Sequence, residues 1–93
     1  MKIEVTDLDI NNGKVRDANE CPVALALQRV IGAGVDKSVI ISDTYGYYRY
    51  PHTTCWYLID PLPKEVIDFI DKFDNCKPVW PISFEVEGKR MRN

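Results

Sequence analysis

The chain has 93 residues, of which 45% are hydrophobic and 28% charged, with a net charge of -2. That length suits one core and not two, because domains below about 50 residues rarely hold together alone, so a single domain over residues 1–93 is expected. The balance is that of a folding chain rather than a disordered one, and its acidity argues against broad nucleic-acid binding, which needs a strongly basic surface to displace counterions.

Residues Lys2 to Thr6 alternate, with Ile3 and Val5 on one side and Lys2, Glu4 and Thr6 on the other, as a strand with one wet face requires. Glu4, Asp7 and Asp9 stand where a secretory leader needs an uninterrupted apolar run, and no stretch approaches the ~18 apolar residues of a membrane span. A cytoplasmic protein with no membrane contact is therefore expected. Thr6 or Asp7 can cap a short turn through Ile10, and Asn11-Asn12-Gly13 reverses the chain into a loop that runs to about Asn19.

Pro22 fits the first turn of a helix, where its missing N–H is unpaired anyway, and predicts a helix from Pro22 to Ile31, ended by Gly32 and Gly34. At 100° per residue Val23, Leu27, Val30 and Ile31 share an apolar face, with Gln28 and Arg29 away from it and Leu25 on the wrong side. The runs Ser38 to Ser42 and Thr54 to Ile59 read as strands by propensity and length. Between them, Gly46 and Pro51 break the segment Thr44 to His52, which reads as a long hairpin connection at a sheet edge, its ends able to extend the flanking strands.

Asp60-Pro61-Leu62-Pro63 opens a second helix, in which Val66, Phe69, Ile70 and Phe73 follow the i, i+3, i+4, i+7 rule while Lys64, Glu65, Asp68, Asp71 and Lys72 fill the opposite arc and Ile67 flanks it. The stretch Lys77 to Pro81 cannot be helical, Ile82 to Glu87 alternates as a last strand, and the basic tail Lys89 to Arg92 is expected to fray. The order β-α-β-β-α-β predicts an α+β, two-layer, split βαβ or ferredoxin-like fold: a four-stranded, mainly antiparallel sheet with both helices on one face.

The strings Thr6-Asp7-Leu8-Asp9-Ile10, Cys21-Pro22-Val23-Ala24-Leu25-Ala26-Leu27, Leu62-Pro63 with Val66, Phe69-Ile70 and Phe73-Asp74, then Pro78-Val79 and Pro81 with Ser83-Phe84, resemble a family of short bacteriophage and prophage proteins without assigned activity. The resemblance covers both ends of the chain and lapses from about Gly32 to Asp60. No residue inherits a role from it. It implies a setting, the cytoplasm of a bacterial host, in which small phage accessory proteins bind and disable host factors, including antiviral defence.

Tyr45, Tyr47, Tyr48, Arg49, Tyr50 and His52 form the chain's most distinctive stretch, with Trp56 close behind. Tyrosines can stack on a base while Arg49 holds a phosphate, and Tyr, Trp and Arg are also what protein interfaces favour. The ordinary alternative is a twisted hairpin whose tyrosines pair across strands for stability. The strand Thr54 to Ile59 carries Cys55, Tyr57 and Ile59 on one side and Trp56 and Leu58 on the other, so both its faces want burial. The face away from the helices would then be closed by the long connection, a partner or a homodimer.

Cys21, Cys55 and Cys76 are an odd number without CxxC spacing, which fits free thiols. With His52 they have the ligand types of a Cys3His zinc site, but they are scattered over separate elements, and buried cysteines usually just fill cores. Cys21 at a helix entrance, with His52 as base, would be the minimum for a thiol nucleophile, although nothing in the spacing joins them. Glu65, Asp68, Asp71 and Asp74 form a negative stripe, which is most often a solvated helix face. No glycine-rich phosphate loop, HExxH or GxSxG is present, so neither enzyme activity nor a cofactor or metal is expected. The expected function is that of a non-enzymatic phage or prophage binding protein that inhibits or sequesters a host protein or a signalling nucleotide. A small single-stranded nucleic-acid-binding module is the alternative.

Overall fold

The computed structural model describes residues 1–32 and 38–91. In β1 (Lys2–Val5) alternation buries Ile3 and Val5 and leaves Lys2 and Glu4 exposed. Thr6 then caps α1 (Asp7–Asn12) through a capping box: its side chain accepts from the Asp9 N–H, and the Asp9 carboxylate accepts from the Thr6 N–H at 2.9 Å. The expected short turn through Ile10 is thus a helix that continues to Asn12.

Helix α2 (Pro22–Ile31) has the predicted span, with Cys21 as its N-cap and Gly32 at φ 74° ending it in the left-handed conformation; Gly34 lies outside the described residues. Its apolar face differs from the expected one. Val30 is 43% exposed and Gln28 only 4%, because the Gln28 side-chain amide donates to the Asn19 carbonyl and pins the preceding loop. Strands β2 (Val39–Ile41), β3 (Gly46–Tyr48) and β4 (Tyr57–Ile59) follow, then α3 (Lys64–Asp74), β5 (Ile82–Glu85) and β6 (Lys89–Arg90). Helix α3 buries Val66, Phe69 and Ile70, each worth about 1.5–3 kcal/mol when fully withdrawn from water.

The α+β class is as expected, while the described strands divide between two antiparallel sheets, β1-β5 and β2-β3-β4-β6. The first and last long strands do pair, Lys2 opposite Glu85 through Val5 opposite Ile82, as a split βαβ order would have them. The middle strands form their own sheet. Two segments read differently from their sequence: Gly46–Tyr48 is an interior strand rather than an edge connection, and Lys89–Arg90 pairs with β4 instead of fraying. Gly46 belongs inside the strand because the Ile41 side chain stands 2.8 Å from where a Cβ would be.

Helix α2 contacts β1, β2 and α1 and so joins the two sheets. One buried cluster runs from Ile3 and Val5 through Leu27, Val39 and Ile59 to Val66 and Phe84. No described helix is long and apolar enough to cross a membrane.

Candidate functional site

Because β3 is an interior strand, its two faces meet different surroundings. Tyr48 points into the core, 3% exposed, and stacks on Tyr57 at 5.2 Å between ring centroids with 10° between planes. Tyr50 closes this cluster edge-on to both rings, 5.7 Å from each. Gly88 makes room for the Tyr48 hydroxyl, which lies where a Cβ at that position would be. Burial pushes the Tyr48 phenol above its ordinary pKa, helped by the neighbouring Tyr50 and opposed by a hydrogen bond from the Gly88 backbone.

The opposite face is built from the register. Ile40 lies across from Tyr47, Tyr47 from Leu58 and Leu58 from Lys89, so these four side chains form one row. Tyr45, two residues before Tyr47, packs edge-on against it at 5.4 Å and 81°. Arg49 follows two residues later, beside the start of β2, where its N–H donates to the Ser38 carbonyl at 2.9 Å. Its guanidinium lies 5.4 Å over the Trp56 ring. Its other bonds are long, 3.3 Å to the Thr53 carbonyl and 3.4 Å to Ser38 Oγ, and its buried Nε has no partner among the described residues. Ile40, Tyr45, Tyr47, Arg49, Trp56 and Leu58 are all half-buried.

Of the expected binding residues, Tyr45, Tyr47, Arg49 and Trp56 therefore come together on this outer face. Tyr48 is a correction, since it belongs to the core. Tyr50, 41% exposed, rims the inner cluster instead of joining the outer row. His52 is exposed in the turn Tyr50-Pro51-His52-Thr53, where Pro precedes a residue at φ 64° and the Thr53 N–H returns to the Tyr50 carbonyl, the pattern of a type II turn.

The remaining candidates have architectural surroundings. Cys21 is buried, its sulfur accepts from the Ala24 N–H at 3.4 Å, and burial pushes its thiol up to about 11, which leaves no thiolate to act as a nucleophile near neutral pH. Cys55 and Cys76 are also free, and among the described residues no group of three or more His, Cys, Asp or Glu could hold a metal ion. Asp9 accepts both terminal nitrogens of Arg29, at 2.8 and 2.9 Å, while Arg29 also reaches the Glu4 carbonyl at 2.7 Å. Burial would raise the Asp9 pKa, but the hydrogen bonds from Arg29 and Thr6 and the Arg29 charge outweigh it and hold the carboxyl below its ordinary value.

One feature escaped sequence reasoning altogether. Between α3 and the segment 78–82 runs an open groove of about 260 Å³, lined by Phe69, Pro78, Val79, Trp80 and Ile82 with Glu65, Asp68 and Lys72 at its rim. Trp80 is 71% exposed. A tryptophan between two prolines was the available signal, read only as a segment that cannot be helical. A second cleft of about 390 Å³ adjoins it through Asp68 and carries Asp43, Asp71 and Asp74.

A scan against protein-family models matched none, and searches of the curated proteins and of the solved structures found no match.

Proposed function

We propose that this chain is a non-catalytic binding protein of the phage or prophage kind its terminal strings resemble, acting in the host cytoplasm by occupying a host protein through the outer face of its four-stranded sheet. The observation that carries this reading is the sorting of aromatics: Tyr48 is buried, stacked on Tyr57 and edged by Tyr50, whereas Tyr45, Tyr47, Trp56 and Arg49 stand half-buried together on the other face. Tyrosine, tryptophan and arginine around aliphatic neighbours are what the energetic centres of protein interfaces contain. A small nucleotide fits less well, because such ligands sit in concave pockets and the described clefts are lined by other residues.

Arg49 and Lys89 on the same face favour single-stranded nucleic acid as the second reading, with bases stacked on the aromatics and phosphates on the cations. The test is retention from bacterial lysate on immobilised wild type and on a Tyr47→Ser/Arg49→Ala double variant whose folding is checked by circular dichroism. A host protein held by the wild type and released by the folded variant supports the assignment. Equal retention by both overturns it, and bound single strands that elute steeply with salt would replace it by the second reading.

A further inference from the structure

We propose that the groove beside Trp80 is a second, separate recognition site that takes a short protein segment pairing a lysine or arginine with an apolar side chain. Phe69, Val79 and Ile82 give the groove an apolar floor, and Trp80 forms a wall that is 71% exposed. Tryptophan beside an apolar floor is the residue type that the energetic centres of protein interfaces favour. Pro78 and Pro81 bracket the wall; their fixed φ, and the restriction they place on the residue before each, Lys77 and Trp80, narrow the conformations of this strap before anything binds, which lowers the ordering cost of association.

Charge names the occupant. The rim sets two carboxylates, Glu65 and Asp68, against one ammonium, Lys72. Neither carboxylate has an ion-pair partner among the described residues. Beyond Asp68 the adjoining cleft adds Asp43, Asp71 and Asp74, with no lysine or arginine in its lining. A cation placed over the Trp80 ring gains the attraction of the aromatic face and of the rim carboxylates at once, while its aliphatic stem and an apolar neighbour cover the floor. An acidic or phosphorylated partner would meet uncompensated like charge. The outer face of the sheet, with Arg49 and Lys89, has the opposite preference, so the two sites select different chemistry.

The experiment uses the full chain carrying Trp56→Phe, which leaves Trp80 as the sole tryptophan of the two in the sequence. Its fluorescence is titrated with an acetylated, amidated Leu-Lys-Leu-Lys tetrapeptide and with the Leu-Glu-Leu-Glu counterpart. Expected is a saturable change with the lysine peptide, none with the glutamate peptide, and at least about tenfold weaker binding in a Glu65→Gln/Asp68→Asn background, corresponding to loss of the rim attraction. In wild-type chain the same titration should move the backbone amide resonances of 65–72 and 78–82, which guards against a fold disturbed by the tryptophan replacement. The proposal is overturned by equal responses to both peptides, by no response up to about 1 mM, or by a solution mass of two chains that Trp80→Ala reduces to one, which would give the groove to a second copy.

Discussion

The two faces of β3 put one residue type to opposite uses. Tyr48 turns inward onto Tyr57 in the core, with Tyr50 edging the pair from the rim, while Tyr47 turns outward between Ile40 and Leu58 and meets Tyr45 edge-on. Composition treats these tyrosines as equals. The period of two along the strand separates them, and it shows that a tyrosine-rich string is evidence for binding only in the half whose rings the fold does not consume.

The sharpest way to break that contrast is Tyr48→Ala. Removing a fully buried aromatic should lower unfolding free energy by about 3–5 kcal/mol, read from the urea midpoint at unchanged slope. A loss below about 1 kcal/mol would place Tyr48 with the surface residues instead. Next comes Gly88→Val, expected to cost about 1–3 kcal/mol through overpacking, since its side chain would enter the space of the Tyr48 hydroxyl. Combining it with Tyr48→Leu removes both the oxygen and the ring edge that stands 2.6 Å from a Cβ at position 88, and the two changes together should cost less than their sum.

The Asp9–Arg29 pair sharpens the comparison from outside the sheet, because it is an inward polar contact with the same architectural purpose as the tyrosine cluster. Asp9→Asn loses charge-assisted bonds to Arg29 and weakens the Thr6 capping box, at a cost of about 1–2 kcal/mol, limited by the exposure of Arg29. The folded Asp9 carboxyl is held below its unfolded value, so its contribution is fully present above the unfolded pKa of about 4 and is lost as pH falls through the lower, folded one. Wild type should therefore lose part of its stability below about pH 4, and the difference from Asp9→Asn should shrink over the same window.

Much of the helical frame was legible because its signals are local. Pro22 and Gly32 bound α2, and Pro63 with the Val66, Phe69, Ile70 spacing defines α3. The helix starts have local causes as well: Thr6 and Asp9 form a capping box, and Cys21 caps α2. The centre of the sheet was not legible. Gly46 looked like a breaker, and only the position of Ile41 across the ladder explains a glycine there; the pairing of Lys89–Arg90 with β4 depends on a partner more than thirty residues away. The tyrosine-rich stretch was likewise visible as composition, but deciding between Tyr47 and Tyr48 needed the register. Gln28 was misassigned because its burial rests on the Asn19 carbonyl, a contact no helical wheel contains.

On the outer face the expectation reverses. Tyr47→Ser should cost under about 1 kcal/mol in stability, because its ring is only half-buried, and yet abolish retention of the partner proposed for that face. A large stability loss with partner binding intact would mean that the outer row, too, is architecture.

His52→Gly is the smallest expected effect and tests where the site ends. At φ 64° the histidine carries a left-handed backbone cost of about 1 kcal/mol, which glycine would remove. Glycine also enlarges the unfolded ensemble by about 0.5–1 kcal/mol, so the net change should be within about 0.5 kcal/mol of zero. His52→Val separates the two contributions: it keeps a Cβ, adds branching that the left-handed region rejects, and should cost about 1 kcal/mol or more. If His52 serves only the turn, His52→Gly keeps full partner retention while Tyr47→Ser loses it. Loss of retention in a His52→Gly protein of unchanged stability would extend the binding surface around the end of the sheet to the Tyr50-Pro51-His52-Thr53 turn.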